Sequence, residues 1–228
     1  MSNHLKAYAA PKSWTILRKV TKWIVRPNPG AHEMRRSMPI GLLLKQLKLA
    51  KTAREVKHIL RQGVVHVDGK KVFDQHFSVG FMDIIKVGSD STVRCMIDKK
   101  GRLVFLPVGK DEETKKVNRI VRKQSVPGGK VQLTLSDGRN LLKDKSAEQV
   151  GDSLIMSVPD QKVLEHVSLK KGVSVMLMGG RHTGHVGHVE VLDGAKIVVQ
   201  DGAEKFETLK EFAFIVGKDK PAVTVVSK

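Results

Sequence analysis

A chain of 228 residues with 40% apolar side chains has material for one or two buried cores. No stretch of it approaches the roughly 18 consecutive apolar residues needed to cross a bilayer. Its 41 Lys and Arg against 23 Asp and Glu leave a formal charge of +18, a self-repulsion that argues for a polyanionic partner, nucleic acid before an anionic membrane. The single cysteine, Cys95, excludes an internal disulfide and any zinc site built on paired thiolates, and in VRCMI it reads as a small buried hydrophobe. Aromatic residues at 4% count against a sheet that stacks bases on rows of rings. The first residues lack the apolar run of a signal peptide, so a cytoplasmic location is expected.

Residues 1–39 read as a basic arm. Lys6, Lys12, Arg18, Lys19, Lys22, Arg26, Arg35 and Arg36 stand against one acid, Glu33. The sparse apolar residues Trp14, Ile16, Leu17, Val20, Trp23, Ile24 and Val25 predict one short helix, broken at Pro27 and Pro29. A core this small does not stand alone. Two readings remain for the tryptophans: packing on sugar or base as the arm orders on a nucleic acid, or anchoring the arm to the next domain, which is preferred.

The next stretch, about 40–88, predicts a small αα unit followed by a hairpin and two strands. Pro39 suits a first helical turn, and IGLLLKQLKLA puts Leu43, Leu44 and Leu47 on one stripe. The second helix begins at a capping box of Thr52 and Glu55. Ala53, Val56, Ile59 and Leu60 then fall on one face, while Arg54, Lys57, His58 and Arg61 gather on a face roughly 140° away. Gly63 fits the left-handed position that ends the helix, Val65 and Val67 alternate into a strand, and Asp68-Gly69 supplies a type I′ turn before Lys70 and Lys71. A run of cations is most often a solvated helix face. Here Glu55 is the only acid in the stripe, it is engaged at the cap, and the hairpin adds cations beside it together with Lys51 at the helix entry. A phosphate backbone rewards that arrangement through counterion release.

Beyond residue 88 the period falls from 3.6 to 2 and turn signals recur. TVRCMID and RLVFLPV predict one hairpin, and KVNRIVRKQSV with VQLTL predicts another across PGGK. LLKD and SLIMSV complete a central β domain over 89–168. Its Arg119, Arg122, Lys123 and Lys130 are accompanied by Asp111, Glu112 and Glu113, so a solvated face and an RNA-facing surface both stay open. From 169 to 228, four or five short strands joined by glycine turns, including Asp193-Gly194 and Asp201-Gly202, predict a small closed barrel. The polar residues from Lys218 onward are expected to fray or to dock only in a complex.

GGRHTGHVG, residues 179–187, lacks the GK[ST] ending of a nucleotide-binding loop, and no helix pattern follows it. It reads as a turn loop from which Arg181, His182 and His185 project, toward RNA or toward water. His182, His185 and His188 recur at a spacing that does not converge three imidazoles on one zinc ion. No nucleophile and base stand in a supporting context, so no enzyme, cofactor or metal is expected.

KTAREVKHIL, RQGVVHVDGKKV and SVGFMDIIKV together resemble the small αL-motif RNA-binding domain shared by bacterial ribosomal protein four, some RNA-modifying enzymes and tyrosyl-transfer-RNA synthetases. The usual Gly-Asp near its end is replaced by Gly80-Phe81-Met82-Asp83. LKAYAAPKSW, RPNPGAHEMRRSMPI and the KOW-like GGRHTGHVGHV occur in this order in the e-type ribosomal protein four family of the archaeal and eukaryotic small subunit. Short tails are expected of an archaeal member. The resemblance implies an α+β, predominantly β chain: a basic N-terminal arm, the αL-motif domain, a central β domain and an SH3-like KOW barrel. It also implies contact with small-subunit ribosomal RNA and neighbouring ribosomal proteins, without a membrane or a small-molecule substrate. The RNA-binding candidates are Arg18, Lys19, Lys22, Arg35, Arg36, Lys51, Arg54, Lys57, His58, Arg61, Lys70, Lys71, Arg181, His182 and His185. The rivals are an RNA-modifying enzyme of the pseudouridine-synthase kind and a transcription-elongation factor using the same modules.

Overall fold

Capping and turn chemistry decide the local structure around residues 52–69, and long-range pairing decides most of the rest. A computed structural model describes residues 4–88, 91–202 and 204–225. They divide into a first unit, reaching to Met96 and including Arg102–Gly109, and a second, made of Ile97–Gly101 and the chain from Lys110.

In the first unit β1 (His4–Lys6) pairs antiparallel with β2 (Trp23–Val25), and β3 (Ser37–Pro39) leads into α1 (Ile40–Gln46) and α2 (Ala53–Arg61). Then come β4 (Val65–Val67), β5 (Lys70–Lys71), β6 (Ser78–Gly80), β7 (Ile84–Val87), β8 (Ser91–Ile97) and β9 (Leu103–Pro107). β3 pairs with β6, and the others form one sheet in the order β5-β4-β7-β8-β9. The hairpin of TVRCMID and RLVFLPV therefore extends the sheet of the small helical unit, and the boundary expected at residue 88 falls inside that sheet.

The expected arm helix is absent among the described residues. The segment is held at separate points instead. Trp14 is buried and its indole N–H donates to the Ser37 carbonyl at 2.6 Å, whereas Trp-Ile-Val at 23–25, a β-favouring triplet, enters β2. The Leu103 amide donates to the Ser13 carbonyl, the Asn28 amide to that of His76, and the His76 ring meets the Arg26 carbonyl at 2.7 Å. The arm is thus part of the first unit's fold.

Two finer expectations also shift. Pro39 ends β3 and caps α1 in an extended conformation, one residue before the first helical turn. Ala53 is exposed and Leu47 only half-buried, so the helices seal their core through Leu43, Leu44, Val56 and Leu60.

In the second unit β10 (Lys115–Val126), β11 (Lys130–Leu135), β12 (Asn140–Lys143), β13 (Ser153–Ser157) and β14 (Val163–Val167) form an antiparallel sheet in the order β12-β11-β10-β13-β14. The first half of β10 pairs with β13 and the second with β11; a register shift between Ile120 and Arg122 bends the strand there. Ile120, Leu133, Leu135, Leu154 and Met156 form its buried core, with Val131 and Leu141 packed on them.

The chain closes with β15 (Ser174–Leu177), β16 (Val186–Asp193), β17 (Lys196–Asp201), β18 (Glu204–Leu209) and β19 (Ala213–Gly217), in the order β18-β17-β16-β15-β19. Asp193 pairs with Lys196, so the turn is Gly194-Ala195, one residue beyond the expected pair. The described tail does not fray. Ala222 donates its amide to Val216, Val223 is buried, and the amide and hydroxyl of Thr224 both donate to the Glu112 carboxylate.

Candidate nucleic-acid interface

α2 is anchored at both ends by its own sequence. The Thr52 hydroxyl accepts the Glu55 amide at 3.2 Å, while the Glu55 carboxylate accepts the Lys51 amide at 2.8 Å and the Thr52 hydroxyl at 2.9 Å. The carboxylate thus reaches one residue further back than the standard box. These bonds, that of the Lys51 amide foremost, hold the Glu55 carboxyl below its ordinary range. A negative charge there also suits the positive end of the helix, as His58 and Arg61 suit the last turn.

Gly63 takes a positive φ of 68° and lets the chain leave α2 and enter β4 at once. Asp68 and Gly69, with φ of 50° and 75°, make the expected type I′ turn, and the register Val67 opposite Lys70, His66 opposite Lys71 fixes the lysines. A Cβ placed on Gly63 would stand 3.9 Å from Lys71 Cδ and 3.5 Å from Phe73 Cε1. The hairpin therefore returns its basic strand to Gly63, at the C-terminal end of α2.

Lys51, Arg54, Lys57, His58, Arg61, Lys70 and Lys71 are all exposed. Arg54, Lys57, Arg61, Lys70 and Lys71 have no carboxylate partner among the described residues, and His58 bonds Gln62 one turn on. A shallow groove runs along α2, lined by Leu49, Arg54, Glu55, Lys57, His58, Ile59 and Arg61, with the Glu55 carboxylate engaged at the cap. By helical rise, Arg54 and Arg61 are about 10 Å apart along it.

The second unit treats its cations differently. Lys196 pairs with Glu207 at 2.7 Å, Lys205 with Glu190 at 2.5 Å and Lys218 with Glu165 at 2.5 Å; Lys143 pairs with Glu148. Lys116 is buried with Asp137 at 3.4 Å, and Lys123 donates to the carbonyls of Ser146 and Glu148. Arg119 donates to the carbonyl of Glu211. These seven cations serve the unit's own fold.

The remaining candidates sort by geometry. Lys19, Lys22, Arg35 and Arg36 are exposed. Arg18 turns inward, giving its guanidinium to the carbonyls of Tyr8, Ala10 and Pro11. In the second unit Arg181 is exposed on the 179–187 loop, but His182 and His185 do not project as expected. They fold onto Phe206, with ring centroids at 4.3 Å and 4.9 Å, and His185 Nδ1 lies 3.3 Å from Asp201. His188 faces the Gly172 carbonyl instead, and among the described residues no group of His, Cys, Asp and Glu is arranged to hold a metal.

Sequence reasoning missed Phe73. It is 61% exposed, next to buried Val72 and beside Lys71, so a bare ring borders the basic hairpin. Strand alternation after Lys70-Lys71 was the available signal: Val72 inward leaves Phe73 outward.

A small α+β domain with a capped cationic helix and a cationic hairpin, on a predominantly β chain, defines an RNA-binding protein of the S4-domain class. Residues 38–85 match the S4 domain, residues 1–35 the RS4NT (NUC023) domain and residues 89–163 Ribosomal family S4e. The small ribosomal subunit protein eS4 of Methanothermobacter thermautotrophicus is 37% identical over 231 residues, covering 97% of this chain and 95% of that one. That of Methanocella arvoryzae is 36% identical over 229 residues, covering 97% of each. The crystal structure of the 30S ribosomal protein S4e from Thermoplasma acidophilum superposes with a TM-score of 0.71 at 31% identity, over 80% of this chain and 96% of that one. The chain belongs to the archaeal branch of the S4e family of ribosomal proteins. Its role is structural, not enzymatic, and these relatives lend no support to an RNA-modifying enzyme or an elongation factor.

Proposed function

We propose that the protein is built into the small ribosomal subunit in the cytoplasm, where α2 and the β4–β5 hairpin clamp the phosphate backbone of folded ribosomal RNA. The observation that carries this reading is the set of Arg54, Lys57, Arg61, Lys70 and Lys71, exposed and without carboxylate partners among the described residues, on two elements fixed by the Thr52 cap, Gly63 and Asp68-Gly69. Fixing them beforehand lowers the entropy lost on binding. The charges meet phosphates and recognise backbone shape more than base sequence.

Lys51 and His58 flank this clamp, and Phe73 offers a ring to a sugar or base at its edge. Lys19, Lys22, Arg35 and Arg36 extend the basic surface over the N-terminal segment. Arg18 contributes by shaping that segment. The β15–β19 sheet with its GGRHTGHVG loop serves as a KOW-type module in which Arg181 meets RNA, while His182 and His185 hold the loop against Phe206. Neighbouring ribosomal proteins complete the surroundings.

Charge reversal tests the clamp. Arg54→Glu with Arg61→Glu is expected to weaken binding to a small-subunit ribosomal RNA fragment about 100-fold or more, since each charge-assisted bond contributes roughly 1.5–3 kcal/mol. The same change at Lys205 and Lys210 is expected to cost far less. Equal losses at both pairs contradict a defined site.

A further inference from the structure

The two-stranded ribbon at the start of the chain carries a second surface that the clamp does not use. Lys6 stands opposite Trp23 and His4 opposite Val25, so His4, Lys6 and Trp23 share one face of the ribbon. Trp23 is 50% exposed and Tyr8, just beyond β1, is 71% exposed. The His4 and Trp23 rings lie 5.4 Å apart and tilted.

Two ammonium groups are threaded among these rings. Lys6 Nζ lies 5.6 Å from the Tyr8 centroid and 5.9 Å from that of Trp23, and Lys22 Nζ lies 5.6 Å from Trp23. Neither lysine has a carboxylate partner among the described residues. Exposed cation–ring contacts contribute only about 0.5–1 kcal/mol, so the lysines are readily drawn to a stronger anion. Trp14 makes the contrast plain: at 2% exposure, with its N–H bonded to Ser37, it is an anchor, whereas Trp23 presents its ring to solvent.

Exposed rings interleaved with unpaired cations on a two-stranded ribbon are the chemistry of single-stranded nucleic-acid binding. The rings accept base faces of any sequence and the ammonium groups follow the phosphates. We propose that the β1–β2 ribbon holds an unpaired stretch of RNA by stacking a base on Trp23, with Tyr8 as a second platform and Lys6 and Lys22 on the flanking phosphates. This deepens the ribosomal RNA reading above and rests on it. It adds a second site that takes single strands, where the α2 clamp takes folded backbone.

The test uses the full chain and a single-stranded oligouridylate of about ten nucleotides, within the usual range of such sites. Trp14, sealed from solvent, supplies a constant background emission. Saturating oligouridylate is expected to quench the Trp23 emission. By anisotropy of a fluorescein-labelled oligouridylate, Trp23→Ala is expected to weaken affinity about tenfold, in line with the roughly 1–3 kcal/mol of one stacked base, and Trp23→Phe to stay within about threefold of the parent. Arg54→Glu with Arg61→Glu is expected to leave the quenching amplitude at saturation unchanged, so failure of the clamp and failure of the ribbon show in different measurements. Absent quenching, wild-type affinity in Trp23→Ala, or equal losses in the Ala and Phe variants overturns the proposal. A response of Trp23 to phosphatidylserine vesicles with none to the oligonucleotide overturns it in favour of a lipid surface.

Discussion

His32 Nε2 lies 2.8 Å from Asp83 Oδ2, with both side chains almost sealed from water. The same carboxylate oxygen accepts the Gly80 amide at 2.8 Å, and the Asp83 amide donates back to the Gly80 carbonyl. This small knot ties the N-terminal segment to the turn at 80–83, where Met82 takes a φ of 68°. It also explains why Gly80-Phe81-Met82-Asp83 can stand where the αL motif usually has Gly-Asp. The turn is closed by Asp83 and covered by an imidazole from 51 residues earlier in the chain.

Gly80 has no room for a side chain. A Cβ there would stand 2.2 Å from His32 Cγ. Gly80→Ala is expected to destabilise the first unit by about 2–3 kcal/mol through overpacking. His32→Ala alone is expected to cost about 1–3 kcal/mol by removing a partner of a buried carboxylate. The double variant is expected to lose clearly less than the sum, because removing the ring makes the space that the new methyl group needs. Urea unfolding followed by Trp14 emission measures all three, and strict additivity contradicts the packing account.

Acid is expected to loosen the second unit through Glu148. Burial pushes this carboxyl up, but the Lys143 ammonium and the Ser146 hydroxyl more than offset it and hold it at about 2. A carboxyl depressed on folding from 4.5 to about 2 contributes stability that is complete above pH 4.5 and is lost as pH falls from there toward 2. The thermal midpoint of the parent is therefore expected to drop more steeply between pH 5 and 3 than that of Glu148→Gln. Parallel curves contradict this role for the pair.

The parts legible in the sequence are those decided within a few residues. Thr52 and Glu55, Gly63, and Asp68-Gly69 each fix a backbone conformation with atoms from their own neighbourhood, and all three fold as read except that the Glu55 carboxylate takes the Lys51 amide in place of that of Thr52. The basic face of α2 follows from helical spacing alone. What stayed hidden is non-local. Nothing near Trp23 announces that Lys6, 17 residues earlier, lies opposite it, so an apolar run became a helix in the reading and a strand in the molecule. Likewise β8 looks like any other alternating strand, and only its pairing of Val93 with Ile85 assigns it to the first unit's sheet. The inward turn of Arg18 was equally invisible, because a cation that satisfies three carbonyls has the same letter as one that meets a phosphate.

In the proposed clamp a fixed group of cations on α2 and its hairpin neutralises phosphates together. The most direct measurement of this is the slope of log affinity against log salt for a small-subunit ribosomal RNA fragment, taken for the parent and for a variant with alanine at Arg54, Lys57, Arg61, Lys70 and Lys71. Each neutralised phosphate contributes roughly 0.7–0.9 to that slope, so the variant, with five cations removed, is expected to lose about 3.5–4.5 from it while retaining its fold. An unchanged slope, with affinity falling only by a constant factor at every salt concentration, contradicts the account.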